Sequence, residues 1–134
     1  MTYAAGDGLP AYVIDCVDTK AMRQWSRFLA DPNPIHLDPE AVRAKGLGDR
    51  VINQGPINVA YMMNCVLAAF PGSRIENMTS RFLDNVYGGE RLVAQARVES
   101  VERNRITCSI SLQSEDRGTV NSAVVTIILP GVVS

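Results

Sequence analysis

The sequence predicts an α+β fold in which a curved antiparallel sheet wraps around one buried central helix. Residues 59–70 are apolar on almost every side of a helix, so the helix that runs to about Phe70 is expected to be buried all round. A curved sheet would bury such a helix in a short chain. The stretches that follow predict four strands separated by turn residues, at about 78–86, 92–99, 106–113 and 120–129. The last of these is apolar on both faces, as expected for a strand covered on both sides.

Spacing and capping residues predict the elements before the central helix. Residues 11–17 read as a short strand. Asp18 or Thr19 can cap a first helix, whose expected core-facing side chains are Met22, Trp25, Phe28 and Leu29. Asp38 reads as a second N-cap, because Pro39 and an acidic residue follow it, and predicts a short helix to about Lys45. Residues 1–10 are expected to form a loose arm on a single domain, 1–134.

Composition argues against several classes of protein. The net charge is −1 and the thirteen Lys and Arg residues are scattered, so no nucleic-acid surface is expected. The start of the chain has no basic, apolar leader, and the apolar stretch at 59–70 is too short to span a bilayer. A cytoplasmic protein without membrane contact is therefore the expectation.

Cysteine and histidine usage argues against a metal site or a disulfide framework. The three cysteines, Cys16, Cys65 and Cys108, are widely spaced and form no CxxC pair. Each lies in an apolar run, so each is expected to act as a small buried hydrophobic side chain. With a single histidine in the chain, neither a metal nor another cofactor is expected.

The stretch from Asp31 to Asp38 carries the candidate chemistry. Two prolines fix the backbone and push Asp31 and Asn33 out of helical geometry, so Asp31 and His36 lie at the ends of a stiff loop. A carboxylate and an imidazole held in this way suit an acid–base pair that activates water. Asp-Pro and Asn-Pro are also ordinary turn formers, so a purely structural loop is the alternative.

A family resemblance adds to this interpretation. The run Asp31-x-Asn33-Pro34-Ile35-His36-x-Asp38 resembles the hydratase motif of the MaoC-like, (R)-specific enoyl-CoA hydratases, which have the hot-dog fold. The resemblance extends over about 25–131, and includes the Gly55 turn into the central helix and the segment from Ser80-Arg81-Phe82 to Gly89-Glu90. The sequence departs from the family at two positions, with Gln54 where His is common and Glu90 where Asp is common.

The resemblance implies reversible hydration of a trans-2-enoyl thioester to the (3R)-3-hydroxyacyl thioester. Asp31 and His36 would hold the water, with Asp31 the preferred base, and the Gly55 N–H would stabilise the thioester oxyanion. Asn33 and Gln54 are the candidate substrate-binding residues, although Asn33 is expected mainly to hold the loop through local hydrogen bonds. Gly55 has a structural alternative, since a glycine also permits a tight turn.

Several functional alternatives and assemblies stay open. The same chemistry run backwards gives a hydroxyacyl-CoA or acyl-carrier-protein dehydratase. A non-catalytic acyl-thioester-binding subunit of a heteromeric hydratase is the second alternative. A thioesterase of this fold is disfavoured because residues 55–70 contain no Asp or Glu. The apolar strand at 120–129 carries few charges to protect an edge, so a homodimer or larger assembly is expected, with a heteromer as the alternative.

Overall fold

Five antiparallel strands form one sheet, with three α-helices in the first half of the chain. The structure is a computed structural model that describes residues 2–131. In chain order the elements are β1 (Tyr12–Ile14), α1 (Thr19–Phe28), a 3₁₀ turn (Pro34–His36), α2 (Pro39–Ala44), α3 (Gly55–Ala69), β2 (Arg74–Phe82), β3 (Leu92–Glu102), β4 (Arg105–Ser114) and β5 (Gly118–Ile128). The sheet order is β1-β3-β4-β5-β2. The predicted α+β class is confirmed.

The helix α3 lies across one face of the sheet and contacts all five strands. Its buried side chains are Ile57, Asn58, Met62, Cys65 and Val66. Another side is only half-buried and carries Val59, Met63 and Leu67 at helical spacing, of which Val59 also packs against the core. The expectation that the helix is buried all round is therefore wrong for the single chain, and the half-buried side is apolar.

Strand periodicity predicted the inner face of the sheet correctly. In β3 and β4 every second residue is buried against α3, namely Leu92, Ala94, Ala96, Val98, Ile106, Cys108, Ile110 and Leu112. In β5 the expectation of two covered faces is wrong, because Val124 on the outer face is 51% exposed. β5 pairs with β4 on one side and β2 on the other, so it is not the edge that the dimer prediction assumed.

The edges of the sheet also differ from expectation. β2 begins at Arg74, earlier than predicted, and forms one edge. The N-terminal arm is not loose: the Gly6 N–H donates to the Val98 carbonyl at 2.7 Å, and the Leu9 N–H donates to the Ala96 carbonyl at 2.9 Å. The arm thus extends the sheet beside β3.

Some apolar residues expected in the core lie at the surface. Of the four side chains predicted to anchor α1, Met22 is fully buried, but Trp25 is 37% and Phe28 80% exposed. Cys65 and Cys108 are buried as predicted, whereas Cys16 is exposed. Within residues 2–131, no helix is long and apolar enough to cross a membrane.

Candidate active site

The end of α1 fixes the position of Asp31. Ala30 adopts φ = +51°, and its N–H donates to the Arg27 carbonyl. The Asp31 N–H reaches back to the Ser26 carbonyl at 2.9 Å, and the Ser26 hydroxyl donates to the Asp31 carbonyl. These bonds form a Schellman motif, which closes a helix and redirects the chain. The Asp31 side chain therefore leaves the helix end at a defined angle.

Two side-chain caps then shape the loop that the prolines stiffen. The Asp31 Oδ1 accepts the Asn33 N–H at 3.3 Å, and the Asn33 Oδ1 accepts the Ile35 N–H at 3.3 Å. Asn33 is thus the N-cap of the 3₁₀ turn that ends at His36. These contacts are the local hydrogen bonds expected of Asn33, and its predicted contact with substrate stays a prediction.

The loop brings the imidazole of His36 against the carboxylate of Asp31. The His36 Nε2 lies 3.2 Å from the Asp31 Oδ2, with 9% of the histidine side chain and 39% of the aspartate side chain exposed. On the other side of the ring, the His36 Nδ1 lies 2.6 Å from the Ile52 carbonyl oxygen. A carbonyl only accepts hydrogen bonds, so Nδ1 carries a hydrogen and the neutral ring presents a lone pair at Nε2.

This tautomer determines what the pair can hold. The Asp31 carboxylate and the unprotonated Nε2 of His36 are both hydrogen-bond acceptors. The two groups therefore need either a shared proton or a donor on their solvent side that contacts both of them. A water molecule can donate one hydrogen to each group, which polarises its oxygen as a nucleophile. The partly exposed Asp31 gives such a water access, and the buried imidazole fixes its orientation. The arrangement can therefore take a proton from water and return it elsewhere.

Backbone pairing places the start of α3 close to this pair. The Ile52 N–H donates to the Ile35 carbonyl at 2.8 Å, so the chain before α3 runs beside the histidine loop. Gly55 follows three residues after Ile52, which is at most about 11 Å along an extended chain. Pro56 has no N–H, and the Ile57 N–H already donates to the Gln54 carbonyl. Among the residues that the structure describes, the Gly55 N–H has no partner.

Phe82, at the end of β2, lies over Gly55. A Cβ atom added to Gly55 would meet the Phe82 Cε1 at 3.1 Å. The Phe82 side chain is itself 58% exposed. The first turn of α3 is thus covered by a ring that is not held in the core.

Gln54 lies in the interior and joins α1 to α3. Its side chain is fully buried, and its Nε2 donates to the Met22 carbonyl at 2.8 Å. Its Oε1 has no hydrogen-bonding partner among residues 2–131. The contact shown by the structure is with α1, so the expected contact with substrate stays a prediction.

Two buried asparagines, neither of them predicted as a site residue, lie beside Gly55. The Asn53 Nδ2 donates to the Asn58 Oδ1 at 2.8 Å, and the two residues are only 4% and 3% exposed. Burial raises the pKa of the neighbouring Tyr61, and a hydrogen bond with Asn53 opposes that shift. Polar residues at the start of an apolar helix were the available sequence signal.

The cavity beside His36 is small. Its volume is about 180 Å³, and it is lined by Thr19, Arg23, His36, Leu37, Pro39 and Val51. Ligand pockets for molecules of drug size usually exceed about 300 Å³. A groove of about 540 Å³ lies elsewhere, between the N-terminal arm and the outer side of β3 and β4. No cluster of His, Cys, Asp and Glu that could hold a metal occurs in the described part of the chain.

The segment at Gly89-Glu90 carries a hydrogen-bonded network, and the adjoining residues 86–88 pair with residues 51–53. Glu90 is 3% exposed; its Oε1 accepts the Tyr87 N–H at 2.7 Å and the Arg117 Nη2 at 2.6 Å, and its Oε2 accepts the Ser114 hydroxyl at 2.5 Å. Burial by itself raises the pKa of Glu90, but these hydrogen bonds and the Arg117 charge outweigh it and lower the pKa. Arg117 also pairs with Asp84 at 2.5 Å.

The fold and the family model together define the class of protein. A five-stranded sheet packed on one long helix is the hot-dog fold, and the family model described as the MaoC like domain matches residues 15–119. The chain belongs to the MaoC-like dehydratase family. It is an enzyme of the hydro-lyase class, and the resemblance seen in its sequence is confirmed.

Individual relatives agree with this assignment. The mitochondrial 3-hydroxyacyl-[acyl-carrier-protein] dehydratase FERN of Solanum lycopersicum is 26% identical over 113 residues, which are 81% of this chain and 68% of the relative. The ChsH1–ChsH2 complex from Mycobacterium tuberculosis superposes with a TM-score of 0.85 at 18% identity, covering 97% of this chain and 100% of that one. The R-hydratase PhaJ1 from Pseudomonas aeruginosa gives 0.84 at 20% identity, covering 96% and 83%. At these identities the solved structures show the fold.

Proposed function

We propose that the enzyme catalyses reversible hydration of a trans-2-enoyl thioester to the (3R)-3-hydroxyacyl thioester. The observation that carries the proposal is the 3.2 Å approach of the Asp31 Oδ2 to the His36 Nε2, with the opposite ring nitrogen tied to the Ile52 carbonyl. A hydro-lyase must activate water, and this pair presents two acceptors to one water molecule. The membership of the family supports the reaction class.

The chemistry at the pair balances as an addition of water. Asp31, the preferred base, takes a proton from the water as its oxygen bonds to C3 of the enoyl group. The electrons of the C2=C3 bond move toward the thioester oxygen and form an enolate. A proton returned by the pair to C2 on the same face completes the product. Because the two groups are in contact, they titrate as a unit, and the proton is assigned to the pair rather than to one residue.

The Gly55 N–H is the proposed donor to the thioester oxyanion. It lies at the start of α3, where unpaired N–H groups and the positive end of the helix dipole favour negative charge. Its lack of a partner among the described residues leaves it free for this role. A donor aimed at the developing charge lowers the barrier because it needs little rearrangement during the reaction.

The proposal also concerns the group that carries the acyl chain, CoA or a carrier protein, and the direction of the reaction. A catalyst accelerates both directions, so dehydration of a (3R)-hydroxyacyl thioester is the alternative physiological reaction. The tomato relative is named as an acyl-carrier-protein dehydratase, and the Pseudomonas structure as an R-hydratase. We favour a CoA thioester, with a carrier protein as the alternative and a cytoplasmic location.

A second subunit is proposed to complete the molecule. The half-buried apolar side of α3, at Val59, Met63 and Leu67, would be covered in a homodimer, and β2 offers an open edge. Two of the similar structures are named as complexes of different chains, ChsH1–ChsH2 and HadBC. A heteromer with a related subunit is therefore the alternative assembly, in which this chain could serve as an acyl-thioester-binding subunit.

Hydration of crotonyl-CoA and of a longer enoyl-CoA tests the proposal, followed as loss of the enoyl thioester absorbance. Asp31→Asn and His36→Ala should each lower the rate by about two orders of magnitude or more, the usual scale of acid–base catalysis. Asp38→Asn is the matched control. Asp38 caps α2 by accepting the Glu40 N–H at 2.9 Å, and Asn keeps that cap. A folded wild type that is inert alone, but activates a related subunit, would favour the binding-subunit alternative.

A further inference from the structure

One buried side chain on the inner face of the sheet has no hydrogen-bonding partner in the described part of the chain. Asn121 in β5 is 0% exposed, and neither its Oδ1 nor its Nδ2 has a partner among residues 2–131. Native proteins rarely leave a buried amide unpaired at both ends, since each unpaired group loses its hydration without compensation. Rotating the amide by half a turn does not help, because both atoms are unpaired. An apolar residue would fill the same space at lower cost.

The strand register places this amide next to the proposed site. Asn121 is directly opposite Phe82 in β2 and opposite Leu112 in β4. Residues opposite one another in paired strands project from the same face, and Leu112 is fully buried against α3. Asn121 and Phe82 therefore both project toward α3, where the Phe82 ring lies over Gly55.

The Phe82 ring is the side chain in this region that can move most easily. It is 58% exposed, so it can rotate outward without removing a buried side chain from the core. Its movement would open the space between the first turn of α3 and the inner face of β5. Phe82 thus contacts the Gly55 position and is the cross-strand partner of Asn121.

We propose that Asn121 is a specificity-determining residue that binds a hydroxyl group carried on the acyl chain beyond C3. The inference rests on the proposed function, because it assumes that the thioester lies at Gly55. An amide offers one acceptor and one donor side by side, and a hydroxyl group both donates and accepts. A plain hydrocarbon chain would leave the amide unpaired. Sites built to bind a hydroxyl group reject analogues that lack it.

Binding by isothermal calorimetry tests this directly and does not require turnover. The probes are saturated acyl-CoAs of six to eight carbons and the same chains with a hydroxyl group at C4, C5 or C6. At least one hydroxylated chain should bind the wild type tenfold or more tightly than its plain counterpart. Wild type that binds no hydroxylated chain more tightly, including wild type that binds no acyl-CoA, overturns the inference.

Variants locate the preference. Asn121→Leu, which keeps the branching of the side chain and removes its polar atoms, should abolish the preference and bind the plain chain at least as well as wild type does. Asn64→Leu, at an exposed position of α3, should keep the preference. Asn121→Val repeats the test if the leucine variant folds poorly. A preference that survives in a folded Asn121 variant overturns the assignment to this residue.

The hydration assay separates this inference from the proposed function. Hydroxyl preference in a wild type that hydrates no enoyl-CoA would overturn the proposed reaction and leave the binding role of Asn121 standing. Hydration of plain enoyl-CoA without any hydroxyl preference would support the proposed reaction and overturn the binding role of Asn121.

Discussion

Two buried polar regions of this enzyme differ in how completely their hydrogen bonds are satisfied. Around Glu90, both carboxylate oxygens have partners, and Arg117 bridges to Asp84 and stacks 4.9 Å from the centre of the Tyr87 ring. At the start of α3, the Gln54 Oε1 and the Gly55 N–H have no partners among the described residues. Hydrogen-bond networks in which every group has a partner make a fold more rigid. Buried polar groups without partners lower the folding stability, and proteins tolerate them mainly at functional sites. The comparison predicts that changes in the first region alter stability and changes in the second alter activity.

The largest expected effect is on activity at the acid–base pair. Asp31→Asn, His36→Ala and the double variant should each lose about 100-fold or more in kcat, and the double variant should lose little beyond the worse single variant. Residues that act as one unit are not additive. Steady-state hydration kinetics on the three variants measure this. Losses that multiply would show that the two residues act separately.

Stability should respond most strongly at Arg117. Arg117→Ala leaves the buried Glu90 carboxylate without its cation, which typically costs about 3–5 kcal/mol of unfolding free energy. Urea denaturation measures the change. Arg105→Ala is the matched control, since its ion pair with Glu76 is largely exposed and should contribute less than about 1 kcal/mol. Equal losses in both variants would contradict the structural role assigned to the Glu90 network.

The same network predicts an acid-labile contribution to stability. The pKa of Glu90 is below its ordinary value of 4.5 in the folded protein, so the unfolded chain binds the proton more readily. The stabilisation is therefore complete above about pH 4.5 and is lost as the pH falls through the lowered folded value. Urea midpoints between pH 3 and 7 test this, and Arg117→Ala should weaken the dependence. A wild-type midpoint that rises on acidification would contradict the sign.

The smallest expected effect follows from adding one methyl group at the helix start. Gly55→Ala keeps the N–H but places a Cβ 3.1 Å from Phe82, so the exposed ring must shift. We expect kcat/KM to fall by about tenfold through misplacement of the site, with little change in melting temperature. Phe82→Ala combined with Gly55→Ala removes the crowding and should recover part of the loss. A large fall in melting temperature would assign Gly55 to the folding of the turn instead.

The sequence predicted which side chains share one face of a helix or strand. It predicted less well whether another element packs against that face. Alternation in β3 and β4 identified the buried set because period two is a local property of a strand. Helical spacing placed Trp25 and Phe28 on an apolar side of α1, but spacing does not reveal whether another element packs there. For the same reason the burial of α3 and β5 was predicted wrongly. One apolar side of α3 is only half-buried, and Val124 on the outer face of β5 is exposed.

Contacts between residues that are close in the chain could be predicted from the sequence, whereas contacts that depend on strand register could not. The stiff loop could be interpreted from two prolines, and its Asp31–His36 contact follows from few residues. The Glu90–Arg117 pair joins positions far apart in the chain, and no local pattern marks it. Asn121 lies within a strand that reads as apolar, and its importance depends on facing Phe82 across the sheet.

Two hydrogen bonds tie together halves of the site that come from separate parts of the chain. The Ile52 N–H donates to the Ile35 carbonyl, and the Gln54 Nε2 donates to the Met22 carbonyl. The loop that carries Asp31 and His36 is thus fixed relative to the first turn of α3 before substrate binds. The reorganisation energy needed to bring the proposed base and the proposed oxyanion donor into place should therefore be small. We expect mutations that remove either hydrogen bond to slow turnover without weakening substrate affinity.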